Sequence, residues 1–86
     1  MKAVGGSTTA DESARTQSTR AYLRLKREIL FGRFQPNDKL KIVELAETFE
    51  VSAGAIREAL SRLVPEGLVV SRDQRGFIVA PLSLDD

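Results

Sequence analysis

The chain has 86 residues, a net charge of +1, 42% hydrophobic residues and 29% charged residues, a composition typical of one small soluble domain. It contains no cysteine and no histidine, which excludes zinc fingers, disulfide scaffolds, thiol catalysis and histidine-based acid–base chemistry. No apolar run approaches the roughly 18 residues that a membrane span requires, and the N-terminus lacks the apolar core of a signal peptide. We therefore expect a cytoplasmic protein that is not an enzyme.

The positive charge is concentrated in one segment of the chain. Residues 20 to 34 contain five basic residues and one acidic residue, whereas residues 35 to 50 contain two basic and four acidic residues. A polyanion responds to such a local cluster more than to the net charge of the whole chain. The distribution therefore favours contact with nucleic acid.

The N-terminal segment and the first helix differ in composition. Residues 1–17 are rich in Gly, Ser, Thr and Ala without periodicity, which predicts a disordered arm. Helix 1 is predicted to start after Ser18 or Thr19, either of which can cap its first amides. Gly32 fits the left-handed residue that ends a helix.

Helix 1 is predicted to be amphipathic. Its apolar residues recur at helical spacing: Tyr22, Leu23, Leu25, Ile29 and Leu30. The opposite face carries a stripe of arginines: Arg20, Arg24 and Arg27. Lys26 falls inside the apolar stripe, so its side chain has to extend to the edge of that stripe.

A turn and a short second helix follow. The stretch around Pro36 predicts a turn, with a short extended piece at Lys39 to Lys41. Helix 2 is predicted from about Val43 to Phe49, with a poorly capped start. Its inward residues are predicted to be Leu45, Ala46 and Phe49.

Helix 3 and a hairpin complete the predicted elements. Ser52 is the expected N-cap of helix 3, and Pro65 ends the helix near Val64. Its apolar stripe is predicted to be Ile56, Ala59, Leu60 and Leu63. Two strands are predicted at residues 68–72 and 76–80, joined by a turn.

This order of elements predicts a fold class. Helix, short strand, helix, tight turn, helix and hairpin is typical of the winged helix-turn-helix. We therefore predict a mainly α domain with a small β-hairpin, built from three helices plus a wing, over residues 18–81.

The outer face of helix 3 is the candidate DNA-reading surface. Opposite the apolar stripe it presents Gly54, Arg57, Glu58 and Ser61. An arginine at such a position can donate two hydrogen bonds to a guanine edge, and small residues with free amides allow close approach to phosphates. The hairpin tip adds a basic, glycine-flanked group suited to minor-groove or backbone contact: Arg72, Gln74 and Arg75 next to Gly76. The predicted DNA-binding residues are Ser52, Gly54, Arg57, Ser61, Arg62, Gln74, Arg75, Gly76, Arg24 and Arg27.

Each of these features has a simpler structural interpretation. Arg57 and the arginines of helix 1 can form a solvated face, and Glu58 with Arg62 can form an i, i+4 surface pair. The hairpin tip can be a plain turn. Glu44 and Glu47 fit a solvated face better than a metal site or an acid–base pair.

Several spaced motifs stand within residues 19–82: Gly32 and Pro36, Leu45–Ala46, Val51–Ser52, the run Arg57–Glu58–Ala59–Leu60, Leu63, Gly67–Leu68 and Arg75–Gly76. Together they resemble the N-terminal domain of GntR-family bacterial transcription regulators. The resemblance implies a winged helix that reads a palindromic operator in double-stranded DNA as a homodimer. It also implies a function in bacterial transcription, close to the nucleoid.

The tail VAPLSLDD at residues 79–86 is similar to the linker of the FadR-type (FCD) subfamily. In that subfamily the linker leads to an all-helical effector-binding domain that binds small organic acids, often with a metal. Residues 82–86 are therefore expected to start such a linker, and the effector domain would supply the dimer and release a repressor from a catabolic operon. No cofactor is expected in this chain itself.

The sequence also departs from the family pattern. Many members carry Ser-Arg-Thr-Pro-Val-Arg at the start of helix 3, whereas this chain has Ala53 in place of the first arginine, so Arg57 bears more of the recognition. This feature, with REALSRLV and FQPNDKL, looks similar to the carbon-starvation-induced regulator branch. Pro65 replaces a helix-compatible residue, and Asn37–Asp38 replaces the usual glycine.

Two alternative functions remain open from sequence alone. A winged helix used for protein contact would need an exposed apolar patch, and none is predicted outside the core. A non-specific or RNA-binding module would display stacking aromatic residues, whereas Tyr22, Phe49 and Phe77 are predicted to face inward.

Overall fold

The computed structural model describes the backbone of residues 3–72 and 76–81 and the side chains of residues 15–72 and 76–81. The elements are α1 (Ala3–Leu30), β1 (Lys39–Leu40), α2 (Ile42–Phe49), α3 (Ala53–Leu63), β2 (Val69–Arg72) and β3 (Gly76–Val79). Three helices with a small antiparallel sheet confirm the predicted fold class. Among the described residues, no helix has the length and apolar character needed to cross a membrane.

The core is built around α3, which packs against α1, α2 and β2. The predicted apolar stripe of α3 is confirmed, because four of its side chains have no exposed surface: Ile56, Ala59, Leu60 and Leu63. Leu25 of α1, Leu45 and Phe49 of α2, and Val69 and Val79 of the sheet complete the core. Burial of these apolar side chains is what fixes the orientation of α3 relative to the other elements.

Both ends of α3 follow the local signals in the sequence. The Ser52 hydroxyl accepts a hydrogen bond from the amide of Ala55 at 3.0 Å, which confirms Ser52 as the N-cap. The helix ends at Leu63, two residues before Pro65, which has no amide proton to continue it.

The turn between α2 and α3 is tight because Glu50 adopts a left-handed conformation with φ 59°. The Val51 amide donates to the carbonyl of Ala46 at 3.0 Å, and Val51 packs partly against the core. α2 begins at Ile42, one residue earlier than predicted, and its N-cap residue Lys41 makes no capping hydrogen bond from its side chain. The two helices thus meet in a helix-turn-helix arrangement.

The short strand β1 joins the hairpin in a three-stranded antiparallel sheet with the order β1-β3-β2. Leu40 pairs with Phe77, and Arg72 pairs with Gly76 across the hairpin. Beyond β1, the Asn37 amide donates to the Val79 carbonyl at 2.9 Å. The sequence predicts the hairpin and a short extended piece at residues 39–41, which is confirmed as β1. It does not predict that β1 pairs with β3, because pairing between strands so far apart along the chain leaves no local signal.

The predicted start of helix 1 at Ser18 or Thr19 is wrong, because α1 already begins at Ala3. Ser18 does not cap a helix; it lies within α1, buried, and its hydroxyl donates to the Arg15 carbonyl at 3.0 Å. A serine can satisfy its hydroxyl in this way inside a helix. The backbone of residues 3–17 is therefore helical in the structure rather than a disordered arm.

The apolar stripe predicted for α1 is confirmed in part. Three of its five residues lie in the core or pack against it: Tyr22, Leu25 and Ile29. The other two, Leu23 and Leu30, are 55% and 59% exposed, and Ala21 is buried instead. Phe31, in the loop after α1, is 71% exposed.

Candidate nucleic-acid interface

The outer face of α3 lies open to solvent as the sequence predicts. All four predicted outer residues are exposed: Gly54, Arg57, Glu58 and Ser61. Within the part of the chain whose side chains are described, Arg57 has no carboxylate partner and no hydrogen bond. A permanently charged guanidinium is thus available to a ligand.

A cleft of about 680 Å³ borders this face. It lies between α3, the start of α2 and the sheet, and its lining includes Lys39, Lys41, Val43, Arg57, Ser61 and Gly76. Its lining carries three cations against one carboxylate, that of Glu44, so the cleft presents net positive charge next to the exposed face of α3.

Lys39, Lys41 and Val43 were missed by the sequence analysis as candidate site residues. The signal was weak, because two lysines flanking a two-residue strand are common on any solvated edge. Pairing of β1 with β3 brings these lysines beside the hairpin. Lys41 lies 3.9 Å from Glu44, both side chains being well exposed, and an exposed pair of this kind is weak.

The front of α3 is formed by small residues. Ala53 and Gly54 are exposed, whereas Ala55 is buried, so Ala55 serves packing and not close approach. A Cβ at Gly54 would meet only the Ser52 hydroxyl, at 3.9 Å. Packing within the described structure therefore leaves room for a side chain at Gly54, and the open space belongs to whatever approaches α3 from outside.

The N-terminus of α3 is tied to α1. The Ser52 amide donates to the Gln17 side-chain carbonyl at 3.0 Å, so this amide is already occupied. A shallow pocket beside the turn is lined by the arginine face of α1 together with Phe49 and Val51. The basic edge of α1 therefore flanks the start of α3.

The arginines of α1 differ in how they are held. The Arg24 Nε lies 3.1 Å from a Glu28 carboxylate oxygen, and its guanidinium stacks at 4.1 Å from the centre of the Phe49 ring. Arg20 and Arg27 are exposed. Arg24 thus contributes to the contact between α1 and α2, while its neighbours remain open to solvent.

The predicted surface pair of Glu58 and Arg62 does not form. The Arg62 guanidinium stacks at 4.2 Å from the centre of the Tyr22 ring and reaches the Thr19 hydroxyl at 3.5 Å. A cation over an aromatic ring on the neighbouring helix is favoured over a flexible exposed ion pair. Arg62 thus links α3 to α1.

Tyr22, Lys26, Arg62 and Glu66 form one group, which we call the Tyr22 cluster. The Tyr22 hydroxyl donates to Glu66, and the Lys26 amine lies 3.2 Å from the other carboxylate oxygen. The hydrogen bond from Tyr22 and that from Lys26 lower the pKa of Glu66 from its ordinary value of 4.5. The same Glu66 carboxylate raises the pKa of Lys26 above 10.5, so the lysine inside the predicted apolar stripe has its partner here.

At the wing, the structure describes only part of the predicted group. Arg72 is exposed at the end of β2. Gly76 opens β3 with φ 105°, a conformation that suits glycine. Gln74 and Arg75 lie outside the described residues.

The geometry defines a class of protein. An exposed helix that carries Arg57 follows a tight turn and stands beside a basic cleft and an antiparallel wing. This arrangement is that of a winged helix-turn-helix DNA-binding domain. The model of the bacterial regulatory proteins of the gntR family matches residues 17–79, and the chain belongs to this family.

Curated relatives agree with this assignment. The chain is 48% identical over 65 residues to the uncharacterized HTH-type transcriptional regulator BphR of Paraburkholderia xenovorans strain LB400, covering 76% of this chain and 26% of the relative. It is 44% identical over 62 residues to the HTH-type transcriptional repressor GlaR of Escherichia coli K12, covering 72% of this chain and 28% of the relative. The chain thus spans little more than a quarter of the length of either relative.

Solved structures share the fold. A GntR family regulator from Pseudomonas syringae pv. tomato DC3000 superposes with a TM-score of 0.70 at 33% identity, over 80% of this chain and 30% of that one. The DNA-binding domain of AraR in complex with operator ORR3 superposes with a TM-score of 0.65 at 29% identity, over 74% of this chain and 78% of that one. The core helices and the wing therefore follow an architecture that is known in an operator complex.

Proposed function

We propose that this domain binds operator DNA with α3 in the major groove. The observation that carries the proposal is the exposed and unpaired Arg57 in a basic cleft beside the wing, among the residues whose side chains are described. A guanidinium in that position can donate two hydrogen bonds to the O6 and N7 atoms of guanine. The operator complex of AraR supports this orientation by its shared fold.

The other residues have supporting roles in this proposal. Ser61 follows Arg57 by one turn and reaches the same groove, while Ser52 and Gly54 approach phosphates at the front of α3. In the wing, Gln74, Arg75 and Gly76 approach the minor groove or the adjoining backbone.

Backbone contacts come from two sides of α3. Arg27 is exposed on the basic edge of α1, and Arg24 joins it when its contact with Glu28 opens. Lys39 and Lys41 face phosphates across the cleft. Arg62 contributes as a positioning residue, because it holds α3 against α1 through the Tyr22 ring.

We further propose the arrangement of the whole regulator. Residues 18–81 form the DNA-binding unit, and residues 82–86 begin a linker to an effector-binding domain of the FadR type, in a homodimer that reads a palindromic operator in the bacterial cytoplasm. The short share of each relative that the chain covers, and the name repressor given to GlaR, support a repressor with a further domain. Membership of the carbon-starvation-induced branch belongs to the same proposal.

The protein-contact alternative has one observation in its favour. Leu23, Leu30 and Phe31 are exposed on or next to α1, and such residues suit a protein partner. The salt dependence of binding distinguishes the two functions, because the affinity for DNA falls steeply as the salt concentration rises whereas an apolar protein contact does not weaken in this way.

The test compares Arg57→Ala with Arg33→Ala in the 86-residue chain. Both variants remove one positive charge, but Arg33 lies in the loop after α1 and does not line the cleft. Binding is measured by fluorescence anisotropy on a duplex selected from a random library and on an unselected duplex, over a series of salt concentrations. We expect Arg57→Ala to weaken binding to the selected duplex by about 1–3 kcal/mol. The difference in affinity between the selected and the unselected duplex should become smaller as a result.

Two results would contradict the proposal. Equal behaviour of the two variants would show that Arg57 acts only through its charge. Binding that is insensitive to salt would favour the protein-contact function instead. Far-ultraviolet circular dichroism on both variants confirms that each remains folded.

A further inference from the structure

We propose that Val43 reads the 5-methyl group of a thymine near the base that Arg57 contacts. Val43 lies in the first turn of α2 and is 67% exposed. It lines the same cleft as Arg57 and Ser61. The inference rests on the proposed DNA binding and adds a second element, α2, to the reading of base edges.

The packing of α2 against the core does not explain why an apolar residue stands at the exposed position 43. Leu45 and Phe49 bury the inner face of this helix, and Ile42 packs partly against the core. A single exposed valine is common on protein surfaces and needs no explanation by itself. What distinguishes Val43 from the exposed leucines of α1 is its position inside the basic cleft.

The charges around Val43 select the kind of ligand. Val43 lines the cleft together with three cations, Lys39, Lys41 and Arg57. Glu44 also lines it, 3.9 Å from the Lys41 amine, so the net charge of the lining stays positive. A positive cleft attracts a polyanion, and it suits DNA better than a purely apolar protein partner.

The chemistry of DNA then selects the base. In the major groove the thymine 5-methyl group is the apolar feature of the base edges, and aliphatic side chains discriminate thymine by touching it. Contact removes both the methyl group and the valine surface from water. Cytosine and uracil lack the methyl group, so the inference predicts a preference for thymine over both.

The experiment removes apolar groups on each side of the contact: the 5-methyl group of thymine on the DNA and the two methyl groups of Val43 on the protein. A duplex is selected from a random library with the 86-residue chain, and each thymine in it is replaced in turn by deoxyuridine, which keeps the base pair. We expect one position at which the replacement weakens wild-type binding about threefold to fourfold, the effect of removing one buried methyl group. Val43→Ala should bind the thymine and deoxyuridine duplexes equally.

Two control variants make the result specific. Leu23→Ala truncates an exposed apolar residue outside the cleft and should retain the full deoxyuridine effect. Val43→Thr keeps the shape of the side chain and one methyl group, and should therefore retain part of the deoxyuridine effect. Because Val43 is exposed, these variants are expected to fold, which circular dichroism checks.

The outcomes separate this inference from the proposed function. Salt-dependent binding of a selected duplex without any deoxyuridine effect, or with the same effect in Val43→Ala, would overturn the role of Val43 and leave DNA binding intact. A chain that binds no duplex at low salt would overturn both. A deoxyuridine effect that disappears only in the Val43 variants supports the inference.

Discussion

Arg57 and Arg62 lie five residues apart on α3 but in two different regions of the molecule. Arg57 faces the basic cleft and has no partner among the residues whose side chains are described. Arg62 faces α1, where it stacks on Tyr22. Residue type and helical spacing therefore do not assign a role, because the neighbouring element decides whether a charge is free to meet a ligand or used to hold the fold.

The largest expected effect comes from the core that supports both regions. Leu60→Ala removes a side chain with no exposed surface and is expected to destabilise the domain by about 2–5 kcal/mol. Urea denaturation measures the loss, with Glu58→Ala on the exposed face as the matched control. If Leu60→Ala proved as stable as Glu58→Ala, α3 would not be the centre of the core.

A smaller effect separates the two arginines directly. Arg62→Ala removes the stack on Tyr22 and should lower the free energy of unfolding by about 0.5–1 kcal/mol. Arg57→Ala should leave that free energy nearly unchanged, because its side chain contacts no partner in the described structure. Chemical denaturation of both variants under one condition makes the comparison, and equal losses of stability would refute the assigned difference.

The smallest expected effect concerns pH and the Tyr22 cluster. The folded protein lowers the pKa of Glu66 below 4.5, so its carboxylate adds stability above that pH and loses this contribution as the pH falls through the lowered value. Glu66→Gln should therefore have a lower free energy of unfolding than the wild type at neutral pH. In acid the two free energies should become similar, because the wild type then loses the contribution of its charged carboxylate.

Denaturation curves from neutral pH down through the lowered pKa of Glu66 test this, since the stabilising contribution is lost as the carboxylate becomes protonated. Glu58→Gln is the control, because Glu58 lies on α3 without a partner among the described residues. If the free energies of unfolding of Glu66→Gln and the wild type differed by the same amount at every pH, the effect would come from packing and not from charge.

The sequence predicts α3 well because its signals are local. Ser52 caps the helix and Pro65 follows its end, and the inner stripe has the regular spacing of a buried face. The exposed outer face follows from the same geometry, so the position of Arg57 in solvent is predictable from spacing alone.

Ser18 looks like a cap, but its hydroxyl bonds back to Arg15 within a helix that already begins at Ala3. The other missed features depend on contacts between distant residues. Arg62 has a suitable partner four residues away in Glu58, yet its guanidinium stacks on the Tyr22 ring of α1. The cleft lysines become site candidates only when β1 pairs with β3.

The central position of β3 has a consequence for how the wing moves. β3 is hydrogen-bonded to β2 on one side and to β1 on the other, and β1 is separated from α2 by a single residue. Local opening of the wing strand therefore requires release of β1 as well, which joins the sheet and the start of α2 in one cooperative unit. A force applied at the wing is transmitted to the beginning of the helix-turn-helix instead of being absorbed by a loose hairpin.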